Sequence, residues 1–269
     1  MDDREQFSSG AIPLNEIHAS ALVHPEAKIG RGVRIGAYSI IGPDVEIGEG
    51  SEIGSHVVIE NRVRMGRDNQ IFHGSVIGST PQDLKYAGAD SRVELGDRNT
   101  VREYVTINIA TAEGEVTRIG NDCLLMAYSH VAHNCELANN IVLANSVNLA
   151  GHVRVDDFVV MGGMSAVHQF VLLGAHSFIG GLTGVRLDVP PYVKVAGNPP
   201  RPMGINSVGL ERRGFAAQEL QRVKSAYRYI YRRGLRREEA LAEIMSEGED
   251  TIARCFADFF ERSERGLVR

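Results

Sequence analysis

The chain is patterned in sixes. From Leu125 an aliphatic residue returns at Val131, Leu137, Leu143, Leu149, Val155, Met161 and Val167. Four positions after most of these stands a small or β-branched residue: Ser129, Cys135, Ile141, Val147, Val153, Val159 and Ser165. Each unit thus carries two apolar anchors flanking one outward residue, which is a short strand of period-2 alternation followed by a turn. The same beat starts at Ile17 and Val23 and keeps frame through Ile29, Ile35, Ile41, Ile47, Ile53, Ile59, Met65, Ile71 and Ile77. It resumes at Val93–Leu95, Val101 and Ile107, and runs from Ile119 to about Val185. A six-residue unit cannot bury its apolar face alone, so the pattern predicts stacked units around one continuous core, a β solenoid.

If three units make one triangular coil, residues eighteen apart lie above one another, about 4.8 Å apart. His133, Gly151 and Gln169 then form one column, and Asn134, His152 and Phe170 the next. A histidine, a bare backbone N–H, a second histidine and an amide converge on one edge of the prism.

Two polar stretches interrupt the beat, STPQDLKYAGADSR at 79–92 and the run from Ile109 to Arg118. Both read as loops extruded from a regular rod, and long loops in compact domains commonly carry function. The stretch LDVPPYVKVAGNPPRPMGIN then closes the solenoid, its prolines forbidding further helix or ladder nearby. After Gly209 the period becomes 3.6. Leu220, Val223, Tyr227 and Ile230 share one helical face, and REEALAEIMSE and DTIARCFADFFERSER also read as helices. The expected organisation is mainly β: a polar leader at 1–16, a solenoid at 17–200 with extruded loops at 79–92 and 109–118, and a helical domain at 201–269 capping the open end.

Charge and composition narrow the picture. The net charge of −5 gives no global reason to expect nucleic acid. Residues 201–240 nevertheless hold ten Lys/Arg against four Asp/Glu, a basic patch that suits a phosphorylated ligand or an acidic protein. Three cysteines, Cys123, Cys135 and Cys255, form no even framework, and two fall on inward positions. They read as reduced core thiols of a cytoplasmic protein. The first sixteen residues lack the features of a signal peptide, and no run is apolar enough for an integral membrane segment.

The in-frame sixes resemble the left-handed parallel β-helix of the hexapeptide acyltransferases, which are usually homotrimers with active sites between neighbouring prisms. A closer resemblance rests on QDLKYAG at 82–88, the segment around His133, LAGHV at 149–153, GGMSAVHQF at 162–170, DVPPYV at 188–193, GLERRGF at 209–215 and the terminal RSERGLVR. Together, in this order, they resemble the UDP-N-acetylglucosamine 3-O-acyltransferases, which open lipid A biosynthesis. The resemblance implies transfer of an (R)-3-hydroxyacyl chain from acyl carrier protein to the sugar 3-hydroxyl. It implies no cofactor beyond the phosphopantetheine of that carrier, and no metal.

By this likeness His133 is the general base and the Gly151 N–H holds the developing oxyanion. Asp83 accepts from sugar hydroxyls and Lys85 pairs with phosphate. His130, His152, His168 and Gln169 line the sugar and acyl path. Asn206 and Arg212, with Arg213, contact the uridine diphosphate. Phe178 and Gly181 fall near the acyl-length ruler, where Gly181 leaves room and Phe178 narrows it, which implies a chain of medium to long length. Three positions depart from the family pattern. Asn134 stands where an aspartate often follows the base; it can orient the ring but cannot stabilise imidazolium by charge, so base strength drops modestly or another orienter exists. Asn108 replaces a histidine common near the cleft, and Val208 a glutamate found near the nucleotide. Two other enzymes share the solenoid: the sister sugar-nucleotide N-acyltransferase, with a separate N-terminal uridine-binding domain, and a gamma-type zinc carbonic anhydrase, for which His130 and His133 would be two of three ligands across a trimer interface.

Overall fold

The computed structural model describes residues 14–269; most of the leader expected at 1–16 lies outside them. Three sheets, parallel up to Val193–Ala196, form the faces of a triangular prism, and as far as Gly184–Val185 the chain visits them in rotation, one two- to four-residue strand at a time. The first face runs from Glu16–Ile17 to Arg201–Ile205, the second from Leu22–Val23 to Gly184–Val185, and the third from Lys28–Ile29 to Leu172–Leu173.

The beat of six explains the register. Within the regular stretches partners are eighteen apart, as in Leu125 with Leu143 and Leu143 with Met161. Across the first loop Ile71 pairs with Val101, thirty apart, and across the second Val101 pairs with Leu125, twenty-four apart. Both steps are multiples of six, so the inward frame survives each insertion. The polar stretches are loop only over 80–91 and 109–115, because strands occupy Val76–Ser79, Arg92–Leu95 and Val116–Ile119.

Inward anchors are buried along the rod: Ile35, Ile53, Val101, Leu125, Leu143, Met161 and Ile179 expose 0–3% of their surface. Cys123 and Cys135 are buried among them as free thiols. Outward residues differ by face. The third face carries a charge ladder, with Lys28 on Glu46 at 2.6 Å and Glu94 held by Arg92 at 2.7 Å and Arg118 at 3.0 Å. The first face turns apolar towards its later coils, through Leu124, Val142, Val160 and Phe178.

The corners hold non-glycine residues at positive φ, including Tyr128, Asn134, His152, Phe158, Phe170, His176 and Tyr192. This backbone region is costly for bulky side chains. Stacking one coil above another offsets that cost: His176 lies between Phe158 at 4.7 Å and Tyr192 at 5.4 Å, ring centroid to centroid.

The prolines do not end the ladder where the sequence suggests. Val193–Ala196 adds one more parallel strand beside Phe178–Ile179, and Arg201–Ile205 folds back on it antiparallel. Pro199 and Pro200 occupy the turn between them, and Pro202 lies on the edge strand, where a missing N–H breaks no further pairing. Four helices follow: α1 (Ser207–Arg212), α2 (Ala217–Tyr231), α3 (Arg237–Ser246) and α4 (Thr251–Arg262). Phe259 and Phe260 of α4 pack on Leu172, an outward residue of the last coil of the third face. Arg262 clamps Asp156 through two bonds of 2.9 and 2.8 Å. The buried Asp188 carboxylate accepts from the Leu172 N–H at 2.8 Å, the Ser263 hydroxyl at 2.8 Å and the Arg265 N–H at 3.1 Å, tying coil to tail.

Candidate active site

His133 sits on the corner that leads from the second face to the third, just after strand His130–Val131. The eighteen-residue columns are present there. The His152 N–H bonds the His133 carbonyl at 3.0 Å, and the Phe170 N–H bonds the Gly151 carbonyl at 3.2 Å. His152 stacks on Phe170 at 4.6 Å and meets His133 edge-on at 5.2 Å.

The hydrogen bonds around Asn134 decide which ring nitrogen of His133 carries the proton. Asn134 Oδ1 accepts from the Thr111 N–H at 3.1 Å and from the Thr111 hydroxyl at 2.9 Å, while Nδ2 donates to Glu115 Oε2 at 2.6 Å. A backbone N–H can only donate and a carboxylate only accept, so the amide is oriented unambiguously. His133 Nδ1, 2.9 Å from Oδ1, is therefore the donor of that pair. This leaves Nε2 bare, an acceptor on a side chain that is 14% exposed.

Two groups face that nitrogen. Asp83 Oδ2 lies 4.0 Å from Nε2, brought there by the 80–91 loop of the same chain. Asp83 Oδ1 accepts the Lys85 N–H at 2.9 Å, which shapes the loop tip and leaves the Lys85 side chain exposed. The loop is pinned by Arg62, which bonds the Ala89 carbonyl at 2.8 Å and Asp90 at 3.2 Å. Asn108 closes its base, donating to the Thr80 carbonyl at 3.1 Å. Gly151 is the second neighbour: a Cβ there would fall 2.3 Å from His133 Cε1 and 2.5 Å from Nε2. Its N–H has no acceptor among the described residues.

The flanking imidazoles are both biased towards the neutral form. Burial, then the charge of His133, lowers the pKa of His130, whose Nδ1 lies 2.7 Å from the Thr106 hydroxyl. Burial and then His133 also lower that of His152, against the pull of Glu115 and Asp83. His168 and Gln169 lie exposed on the same corner one coil further on.

The remaining predicted residues are elsewhere. Asn206, Arg212 and Arg213 line a cleft of about 510 Å³ with Val160, Phe178 and Lys194. That cleft lies on the first face, opposite the His133 corner in a three-sided prism, so one chain does not bring base and cleft together. Asn206 is committed to structure as well: it caps α1 through the Gly209 N–H at 3.3 Å and donates to the His176 carbonyl at 2.9 Å. Arg213 lies over the Phe158 ring at 5.0 Å, and burial lowers its pKa. Arg212 is exposed and makes no ion pair among the described residues. Val208 is 57% exposed at the cleft. Gly181 lies on the third corner, between first and second faces, against the Gly163 carbonyl.

Three contributors escaped the sequence reading. Lys194 pairs with Phe178 sixteen residues away, outside the count of eighteen. Thr111 and Glu115 belong to the second loop, where no frame exists. Among the described residues, no group of three His, Cys, Asp or Glu side chains is placed to hold a metal ion.

A parallel solenoid with an imidazole on one corner and a basic cleft under a helical cap defines a hexapeptide-repeat transferase. The six-repeat bacterial transferase hexapeptide model matches residues 26–61, and the second-domain model of UDP-N-acetylglucosamine O-acyltransferase matches 188–268. The chain is 47% identical to the acyl-(acyl-carrier-protein)–UDP-N-acetylglucosamine O-acyltransferase of Herminiimonas arsenicoxydans, over 95% of this chain and 100% of that protein. It is 45% identical to that of Burkholderia orbicola, over the same shares. Its fold matches the UDP-N-acetylglucosamine acyltransferase of Francisella novicida with a TM-score of 0.90, 41% identity and 94% of each chain covered. The O-acyltransferase of Moraxella catarrhalis matches with a TM-score of 0.90 and 39% identity, over 94% of this chain and 99% of that one. The chain belongs to the UDP-N-acetylglucosamine O-acyltransferase family, and its solenoid is the left-handed β-helix of that family.

Proposed function

We propose that this protein transfers an (R)-3-hydroxyacyl chain from the thioester of acyl carrier protein to the 3-hydroxyl of UDP-N-acetylglucosamine, in the cytoplasm, as the opening step of lipid A synthesis. The observation that carries the mechanism is the fixed tautomer of His133, with Nδ1–H donated to Asn134 and Nε2 bare beside Gly151 and Asp83. A sugar hydroxyl is a weak nucleophile at neutral pH. Nε2 takes its proton as its oxygen attacks the thioester carbon, and the Gly151 N–H receives the developing oxyanion. Collapse expels the carrier thiolate, which leaves as the thiol by taking the sugar's proton from the imidazolium. Nε2 and Asp83 Oδ2 are two acceptors facing each other, an arrangement that a hydroxyl-bearing substrate satisfies.

The other roles follow the same reading. Lys85 pairs with phosphate, and His130, His152, His168 and Gln169 line the sugar and acyl path. Asn206, Arg212 and Arg213 hold the uridine diphosphate in the basic cleft, which Lys194 augments. Phe178, on the wall of that cleft, and Gly181 bound the acyl chain. Because cleft and base lie on opposite sides of one prism, a complete site takes its base from one subunit and its cleft from another, and we assign a homotrimer.

The test is acyl transfer from (R)-3-hydroxyacyl carrier proteins of graded length to UDP-N-acetylglucosamine and to its 3-amino analogue. The expected product is the 3-O-ester, formed best with medium to long donors. No transfer to either sugar by folded protein overturns the reading, and preference for the amine redirects it to N-acylation.

A further inference from the structure

Asn134 is neutral, yet a carboxylate stands directly behind it. Glu115 Oε2 accepts the Asn134 Nδ2–H at 2.6 Å, while Asn134 Oδ1 accepts from His133 Nδ1 at 2.9 Å. The three residues form one chain of hydrogen bonds running from carboxylate through amide to imidazole. Glu115 is not a freely swinging side chain. Its N–H bonds the Ala112 carbonyl at 3.1 Å, its carbonyl accepts from the Arg92 N–H at 3.2 Å, and Oε2 also takes the Ala112 N–H at 3.1 Å. The second loop is fastened in turn to the first, Gly114 N–H to the Asp90 carbonyl at 2.8 Å and Asp90 N–H to Glu113 at 2.9 Å.

We propose that Glu115 is a positioning residue for the base: acting through the Asn134 amide, it supplies the negative charge that Asn134 lacks. A carboxylate at the N–H end of an amide draws positive charge there and enriches the oxygen at the other end. The Nδ1–H bond of His133 strengthens as a result, most of all when the ring becomes imidazolium. No proton moves along the chain, since an amide cannot relay one. Asp83, His130 and His152 are the other titratable groups around the ring, and none of them touches Nδ1. The role rests on His133 being the base.

The experiment uses the full-length protein with Glu115→Gln, which keeps an acceptor for Asn134 Nδ2 but removes the charge. We expect kcat to fall about fivefold, the size of one exposed charge-assisted contact, with the KM for UDP-N-acetylglucosamine unchanged within about twofold. The double variant Glu115→Gln with Asn134→Asp moves the charge next to the ring and recovers kcat to within about twofold of the parent. Asn134→Asp alone does worse than the double variant, because two carboxylates then meet. Glu113→Gln, which removes a neighbouring charge of the same loop, leaves kcat as it was. A Glu115→Gln variant as active as the parent, or a double variant no better than Glu115→Gln, overturns the role. The His133 Nδ1–H proton resonance reads the chain independently of turnover. It moves upfield in Glu115→Gln if the role is right and stays fixed if it is wrong, even should the parent protein prove inactive as an acyltransferase.

Discussion

Gly151 and His133 occupy one another's space: the Cβ that any other residue would bring to position 151 falls 2.3 Å from His133 Cε1. The bare backbone leaves the ring its seat. Gly151→Ala should therefore displace the imidazole rather than unfold the rod. A misplaced base costs about a hundredfold in kcat, with far-ultraviolet circular dichroism unchanged. Activity near that of the parent would mean that the ring has another place to sit.

A site shared between prisms predicts complementation. His133→Ala and Arg212→Ala homotrimers should each be impaired, because one lacks the base and the other a cation of the basic cleft. Co-assembled mixed trimers contain interfaces at which both residues are intact, and turnover should return in part. No recovery in trimers shown to be mixed would place base and cleft on one chain.

The buried Asp188 carboxylate holds the last coil to the C-terminal tail. Asp188→Ala leaves the buried Leu172 N–H without its acceptor, at a cost of about 1–3 kcal/mol. Denaturant unfolding should show that loss, and a variant as stable as the parent would mean that water or a shifted group takes over.

His176 gives a pH signature. Burial, then the charge of Arg213, pushes its pKa down to about 4. An unfolded chain takes up this proton near the ordinary histidine value of about 6.5, so its uptake favours unfolding as the pH falls from there towards 4. His176→Phe keeps the stack with Phe158 and Tyr192 and removes the titration. Its stability should fall less steeply over that window, with His130 and His152 still contributing in both proteins. Equal slopes would contradict the assignment.

The thiols should be silent. Burial pushes Cys135 up to about 12 and Cys123 up to about 11. At pH 8 about one such thiol in a thousand or fewer is thiolate, the reactive form. Iodoacetamide should leave both unlabelled in the native protein and label them after denaturation; rapid native labelling would contradict their placement in the core.

The rod was legible because its signal is periodic. Counting by eighteen put His133 beside Gly151 and His152 over Asn134 without any fold in hand, and the frame survived two insertions because each adds a multiple of six. What was not legible lies where the period fails. Glu115 and Thr111 sit in a loop with no frame, and Lys194 follows the Pro190–Pro191 pair, where the partner spacing drops to sixteen. The extra hairpin at 193–205 escaped for a related reason: a proline forbids a central strand but not an edge one. Asn206 carries a structural duty that its likeness alone does not announce, capping α1 and bonding the His176 carbonyl, which leaves one N–H and one lone pair of its amide for the cleft.

The most direct measurement of the central claim is single-turnover acyl transfer by His133→Ala, with UDP-N-acetylglucosamine binding measured on the same preparation. A general base contributes about a hundredfold to ten-thousandfold, so the account predicts a loss of that size with nucleotide affinity retained. A variant that binds the sugar nucleotide and still transfers acyl groups at close to the parent rate would show that the proton leaves by another route and that His133 is not the base.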